Sequence, residues 1–280
     1  MKTYFECLPC FLEQALRACR LMELEEERTR QVVNSVAELI PEIPMENSPP
    51  ETGREVYRII REVSGNPDPY REIKDRNTAG ALELYPVMKN MVAKAGDRLA
   101  AAVKIAAAGN VIDCGVNASY AIGEEVDRML ENEFAVFELE SFRRNLEKAE
   151  KILYIGDNVG ECIFDRVLIE ELEKPVTYVV RGAPVINDAT EQDAVAAGIG
   201  RLADIVSSGT DAPGTVLSTC SPDFIELFEK PYLKISKGQG NYEALAGSGK
   251  SVFFLLKAKC RVIARDLKVH QGQMIFTSGQ

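Results

Sequence analysis

Residues 152–158, "ILYIGDN", decide how the fold is read. Ile152, Leu153, Tyr154 and Ile155 form a short apolar run of β-branched and aromatic character, the composition of a buried strand. Gly156 breaks the run, and "VGECIFDRVLIEELEK" (159–174) continues with helical periodicity. A strand passing through a glycine turn into a helix is the unit of a parallel α/β sheet. Asp157 and Asn158 therefore stand at a strand end, where such folds hold their ligands. Turn or helix-capping chemistry alone also suits these two residues.

The same alternation continues on the C-terminal side. Further strands are expected at Val176–Val180, Ala203–Val206, Tyr232–Ile235, Val252–Leu256 and Met274–Thr277, with helical stretches between several of them. The implied core is a mostly parallel, doubly wound α/β sheet with helices on both faces. On the N-terminal side the character differs. "PCFLEQALRACRLM" (9–22), "ERTRQVVNSVAELI" (27–40) and "PETGREVYRIIREV" (50–63) carry apolar residues at helical spacing. A long stretch from residue 66 to 96 is polar at first and is expected to be interrupted by Pro86. An Ala-rich helix from about residue 97 should close at Gly109. The division predicted is a helical N-terminal region, 1–95, and an α/β metal- and phosphate-binding domain, 96–280.

Composition narrows the function. The chain has 280 residues, 46% of them apolar, so it can bury a substantial core. Its 33 Lys and Arg against 43 Asp and Glu give a net charge of −10, which argues against nucleic acid as a partner. No stretch has the roughly 18 apolar residues of a membrane span, and "MKTYFECLPC" lacks a signal-peptide pattern, so no membrane partner and a cytoplasmic location are expected. Of the seven cysteines, Cys19, Cys114, Cys162, Cys220 and Cys260 read as core thiols, while Cys7 and Cys10 form a CxxC at a helix start. A helix N-terminus would lower a thiol pKa there. The single histidine, His270, reads as surface and argues against His-rich zinc sites.

Polar, glycine-bearing segments cluster at helix and strand ends: "GNVIDCG" (109–115), "GDNVGE" (156–161), "RGAPVINDAT" (181–190), "SSGTDAPGT" (207–215) and "SKGQGN" (236–241). Asp157, Asn158 and Asp188 offer two carboxylates and an amide carbonyl to a hard divalent cation. Helix capping is the competing account of all three, and Glu161 is explained as well by the helix dipole. Lys237 is placed to pair with a phosphate, with Gly238 and Gly240 allowing backbone N–H groups to approach. "LAGSGKS" (245–251) is not a phosphate-binding loop, since it runs into a strand rather than a helix.

At these motifs the sequence resembles the damage-control phosphatase family, the domain of unknown function 89. "ECLPCFLEQAL", "DPYREIK", "AGNVIDCG", "IGDNVGECIFD", "RGAPVINDAT", "DAPGT" and "KGQGNYE" fall in that family's order. The N-terminal CxxC resembles the archaeal and bacterial subfamily. The resemblance implies a helical N-terminal region packed on the α/β domain, and metal-dependent hydrolysis of small phosphorylated metabolites, such as damaged purine nucleotides or sugar phosphates. It implies Mn²⁺, Ni²⁺, Co²⁺ or Mg²⁺ as cofactor, Asp157, Asn158 and Asp188 as ligands, and Lys237 as the phosphate contact. Asn110 and Asp113 belong to a "GNxxD" motif lining the same pocket. The nucleophile is either a water activated by the cation or a carboxylate, Asp157 or Asp113. Two other readings compete: an S-adenosylmethionine- or nucleotide-cofactor-dependent enzyme on a Rossmann-like domain, and a redox module built on Cys7 and Cys10. The first lacks a clear GxG at "YIGDNVGE", and no thioredoxin-like unit surrounds the CxxC.

Overall fold

The computed structural model describes residues 1–109 and 134–279. Asn110, Asp113 and Cys114 lie outside the described residues. The chain begins with three helices, α1 (Cys7–Leu21), α2 (Glu26–Leu39) and α3 (Pro49–Ser64). The third shows how local sequence sets the boundaries. Ser48 and Glu51 form a capping box, Pro49 and Pro50 occupy the first turn, and Gly65 ends the helix at φ 70°. Phe11, Ala15, Val32, Val36, Val56 and Ile60 close the core between the three helices.

Helix α4 (Arg71–Lys94) runs unbroken through Pro86, contrary to the interruption expected from sequence. Pro86 and Leu82, whose carbonyl loses its helical partner, both lie on the exposed face. Leu84, Met88 and Val92 anchor the opposite face in the core, so the freed carbonyl is left on the solvent side, where an unmade helical bond costs little. Helix α5 (Arg98–Ala108) is capped by Asp97, which accepts from the Ala100 N–H, and ends at Gly109 as expected.

Among the described residues, seven strands form one sheet: β1 (Val136–Phe137), β2 (Ile152–Ile155), β3 (Val176–Val180), β4 (Asp204–Ser207), β5 (Leu233–Lys237), β6 (Val252–Lys257) and β7 (Met274–Gly279). Their order is β1-β7-β6-β5-β2-β3-β4. The five strands from β6 to β4 are mutually parallel, and β7 joins β6 antiparallel. Among the described residues, the further α-helices are α6 (Leu139–Lys148), α7 (Glu161–Leu172), α8 (Glu191–Ala196), α9 (Pro222–Glu229), α10 (Gln239–Leu245) and α11 (Arg261–Asp266). Alternation along β2 shows the layering. Ile152 and Tyr154 enter the core shared with α4, α5 and α7, whereas Leu153 and Ile155 enter the core under α9, α10 and α11. Strand order reverses at β2, which pairs with β3 on one side and β5 on the other. The C-terminal ends of β2, β3, β5 and β6 thus converge on one crevice. Among the described residues, no helix is long and apolar enough to cross a membrane.

Candidate active site

Backbone pairing joins the loops that follow β2 and β3. Asn158 and Asp188 form an antiparallel bridge, the Ala189 N–H donates to the Asp157 carbonyl at 2.8 Å, and the Val159 N–H donates to the Asn187 carbonyl at 2.9 Å. Asp157, Asn158 and Asp188 are thereby brought to the wall of one cavity of about 760 Å³. Helix capping explains none of them. Gly160 precedes α7 without a side-chain cap, and α8 is capped by Thr190 with Asp193, two residues beyond Asp188. Between the strand and Asp188 the chain turns at Ile186, a β-branched residue held at φ 46°. Such backbone is costly and is tolerated where the surroundings over-determine it.

Two buried cations sit at this edge. Arg181, which directly follows β3 and is 2% exposed, donates to Asp188 at 2.7 Å, to Thr215 at 3.0 Å and to Asn241 at 3.0 Å. Its guanidinium also lies 3.6 Å from Asp157 Oδ1. Lys237, at the end of β5, is fully buried. Its ammonium donates to Glu161 at 2.8 Å, to Asp165 at 2.6 Å and to the Ala106 carbonyl at 2.8 Å. All three of its N–H groups are engaged by protein acceptors, one of which, Glu161, itself lines the cavity. Burial alone would depress the ammonium's pKa, but Asp165 and Glu161 outweigh it and hold it above the usual lysine range.

Asp165 is gripped further by the stacked phenols of Tyr154 and Tyr178, each donating at 2.7 Å. This arrangement requires Gly156, because a Cβ there would lie 2.6 Å from the Tyr178 oxygen. Glu161, half of the same lysine's shell, also accepts from the Asn158 amide at 2.7 Å. The buried network beneath the cavity thus reaches a residue of its wall.

The glycines of "KGQGN" permit close approach of other groups. Gly238, at φ 81°, donates its N–H to the Leu255 carbonyl at 3.0 Å, and a Cβ there would overlap the Asp157 carboxylate. At Gly240 a Cβ would overlap the Pro213 carbonyl. Burial, reinforced by Asp188 and Glu161, pushes the Asp157 carboxyl well above the usual range. Asp188 is also raised by burial, with Arg181 opposing. Buried carboxylates that raise one another in this way favour a cation or a proton between them.

The other cavity walls come from the N-terminal helices and from the β6–α11 connection. Cys10, Tyr57 and Asn77 contribute from α1, α3 and α4, and Lys259 and Cys260 from the connection. Cys260 is therefore half-exposed to the cavity rather than a core thiol, and Cys220 is likewise only half-buried; Cys19 and Cys162 are core residues as expected. The CxxC does open α1, with Cys10 exposed on the cavity wall. Its thiols are not activated, however. Burial raises both pKa values and outweighs the hydrogen bonds from Tyr4 to Cys7 and from Gln14 to Cys10. Arg181, Asn241 and Asp165 were not singled out as site residues in the sequence. An arginine immediately after a predicted strand was the available signal for the first.

The chain belongs to the damage-control phosphatase family: the profile of the damage-control phosphatase ARMT1-like domain matches residues 3–275. It is 36% identical to a damage-control phosphatase of Pyrococcus horikoshii, over 98% of this chain and 97% of the relative. It is 31% identical to a damage-control phosphatase of Archaeoglobus fulgidus, over 96% of each chain. An uncharacterized protein of Methanocaldococcus jannaschii is 34% identical, over 97% of this chain and 93% of its own. The fold matches the crystal structure of a DUF89 family protein from Pyrococcus horikoshii with a TM-score of 0.94 at 35% identity, over the full length of both.

Proposed function

We propose that the chain is a metal-dependent phosphomonoester hydrolase of small phosphorylated metabolites, with a divalent cation held by Asp157, Asn158 and Asp188. The charge balance at the strand ends carries this reading. Four buried carboxylates, Asp157, Glu161, Asp165 and Asp188, are met by two buried cations, Arg181 and Lys237. A shortfall of two positive charges is what one divalent ion would supply. Among the described residues no three His, Cys, Asp or Glu side chains group as metal ligands, and the proposed donor set is two carboxylates and an amide oxygen. All-oxygen donors suit Mg²⁺ or Mn²⁺, and with fewer protein ligands than an octahedron needs, room remains for substrate oxygens. The family membership and the names of the relatives support the phosphatase chemistry.

The bound ion would supply Lewis-acid stabilisation of charge developing on phosphoryl oxygens. The chain's own residues prepare the site. Arg181 fixes Asp188 through one carboxylate oxygen. Lys237 holds Glu161, and Glu161 takes the Asn158 amide N–H, leaving the Asn158 carbonyl oxygen as the atom available to a ligand. In this geometry Lys237 acts from beneath the site. The cavity is several times larger than a phosphate and has room for an organic body against α1, α3 and α4.

Hydrolysis of 4-nitrophenyl phosphate tests the reading. Activity should vanish with a chelator and return with Mn²⁺, Co²⁺, Ni²⁺ or Mg²⁺. Asp157→Ala and Asp188→Ala should each lower kcat by at least about 100-fold. Turnover that survives both substitutions would overturn the site assignment.

A further inference from the structure

A cavity that binds phosphate needs a cation whose N–H groups are not already spent on the protein. Lys237 does not meet that condition, and neither it nor Arg181 lines the cavity. Lys237 gives its ammonium to Glu161, Asp165 and the Ala106 carbonyl, and Arg181 gives its guanidinium to Asp188, Thr215 and Asn241. Two other cations line the cavity, Arg17 and Lys259. Arg17 lies on the helical wall, where it acts on the phenols of Tyr57 and Tyr70 and pairs with Glu13 at 3.4 Å.

Lys259 lies between β6 and α11, at the sheet edge that carries Asp157. Its ammonium makes no ion pair or hydrogen bond among the described residues. It lines the same cavity as Asp157, Asn158, Asp188 and Glu243. The backbone beneath it is firmly held. Gln239 Oε1 accepts the Lys259 N–H at 3.0 Å, and Gln271 donates to the Lys259 carbonyl at 3.0 Å. The neighbouring Ala258 donates to the Gln273 carbonyl at 3.0 Å and accepts from the Gly272 N–H at 2.7 Å. A rigid backbone thus carries an uncommitted ammonium at the rim of the metal-ligand pocket. Gln239 opens α10, directly after the Gly238 that packs on Asp157, so this brace is continuous with the site.

We propose that Lys259 is the phosphoryl-binding cation of this cavity, its ammonium donating to non-bridging oxygens of a phosphate group. The proposal rests on the phosphatase reading only for the identity of the anion. Inorganic phosphate is the probe, and its binding to the Mn²⁺-loaded full chain is measured by calorimetry alongside Mn²⁺ affinity and 4-nitrophenyl phosphate hydrolysis.

Lys259→Gln should weaken phosphate binding about 10- to 100-fold, the range for a charged hydrogen-bond donor, and lower kcat/KM similarly. Its Mn²⁺ affinity and Tm should stay close to those of the unaltered chain, because the side chain is exposed. Lys259→Arg should recover most of the phosphate affinity, and Arg17→Gln should leave it within about twofold, the scatter expected of an exposed charge outside the contact. Phosphate affinity that stays within twofold in Lys259→Gln, or falls instead in Arg17→Gln, overturns the assignment. If phosphate binds and depends on Lys259 while no phosphate ester is hydrolysed, the phosphatase reading fails and the Lys259 assignment stands.

Discussion

Two buried charge clusters in this molecule behave in opposite ways. One joins α4 to α8: Lys74, fully buried, lies 3.4 Å from Asp68 and 3.5 Å from Asp193, and Arg71 lies 2.8 Å from Asp193. Cations match acids there. Burial acts to raise the Asp193 carboxyl, but the Thr190 N–H, Lys74 and Arg71 outweigh it and hold the group below the usual range. The other cluster lies at the ends of β2 and β3, where acids outnumber cations and Asp157 is driven up. Burial is common to both, so it does not distinguish a structural staple from a site. Local charge balance does: a matched cluster is complete, while a mismatched one lining a cavity is poised to take up a cation.

That contrast breaks most visibly through stability. Asp193→Ala leaves a fully buried Lys74 with Asp68 alone and removes the α8 capping box, so it should cost about 3–5 kcal/mol in chemical denaturation. At a temperature where it stays folded, its specific activity should change little. A loss of activity without loss of stability would make the first cluster part of the site. The second cluster should respond to metal instead. Mn²⁺ at 100 times its dissociation constant should add about 3 kcal/mol and raise Tm by roughly 5 °C. The gain should be larger at pH 8 than at pH 5, since protons compete for Asp157. Asp157→Asn should abolish the Mn²⁺ gain while leaving metal-free stability unchanged or higher, the reverse of Asp193→Ala. Equal destabilisation by both substitutions would erase the distinction.

The smallest effect concerns Glu243, a cavity-wall acid with no matched partner. Burial pushes it up to about 7 from a usual 4.5, despite Gln239, the N-terminal amine and Lys259. The folded state then holds a proton that the unfolded state has released, so stability is greatest below pH 4.5 and declines as pH rises to about 7. Glu243→Gln should remove this decline and stabilise the chain by about 2 to 3 kcal/mol at pH 8, read from denaturation midpoints across pH. An unchanged pH profile would show that Glu243 is ionised in the fold.

Much of the sheet was legible in the sequence. Apolar runs marked β2 to β7, and in β2, β3, β5 and β6 they reflect the burial of parallel strands on both faces. β1 escaped, since Val136 and Phe137 are too few to show a period. Pro86 misled because its cost depends on which face of α4 meets water. Lys237 misled as well: residue type and position suggested a ligand contact, and only the fold revealed two carboxylates from α7 beneath it.

By itself, then, the sequence determined the strand-turn-helix alternation, and placed Asp157, Asn158 and Asp188 at strand ends, because periodicity and turn chemistry are local. Only the tertiary structure decided which charges meet. Lys237 lies far along the chain from Glu161 and Asp165, as Asp157 does from Arg181 and Asp188, and their ionisation depends on burial and on neighbours brought in by other elements. Lys259 gained its place in the same way. Its sequence surroundings are those of any lysine in a turn, and its proximity to Asp157 exists only because β6 and β2 end at the same edge of one sheet.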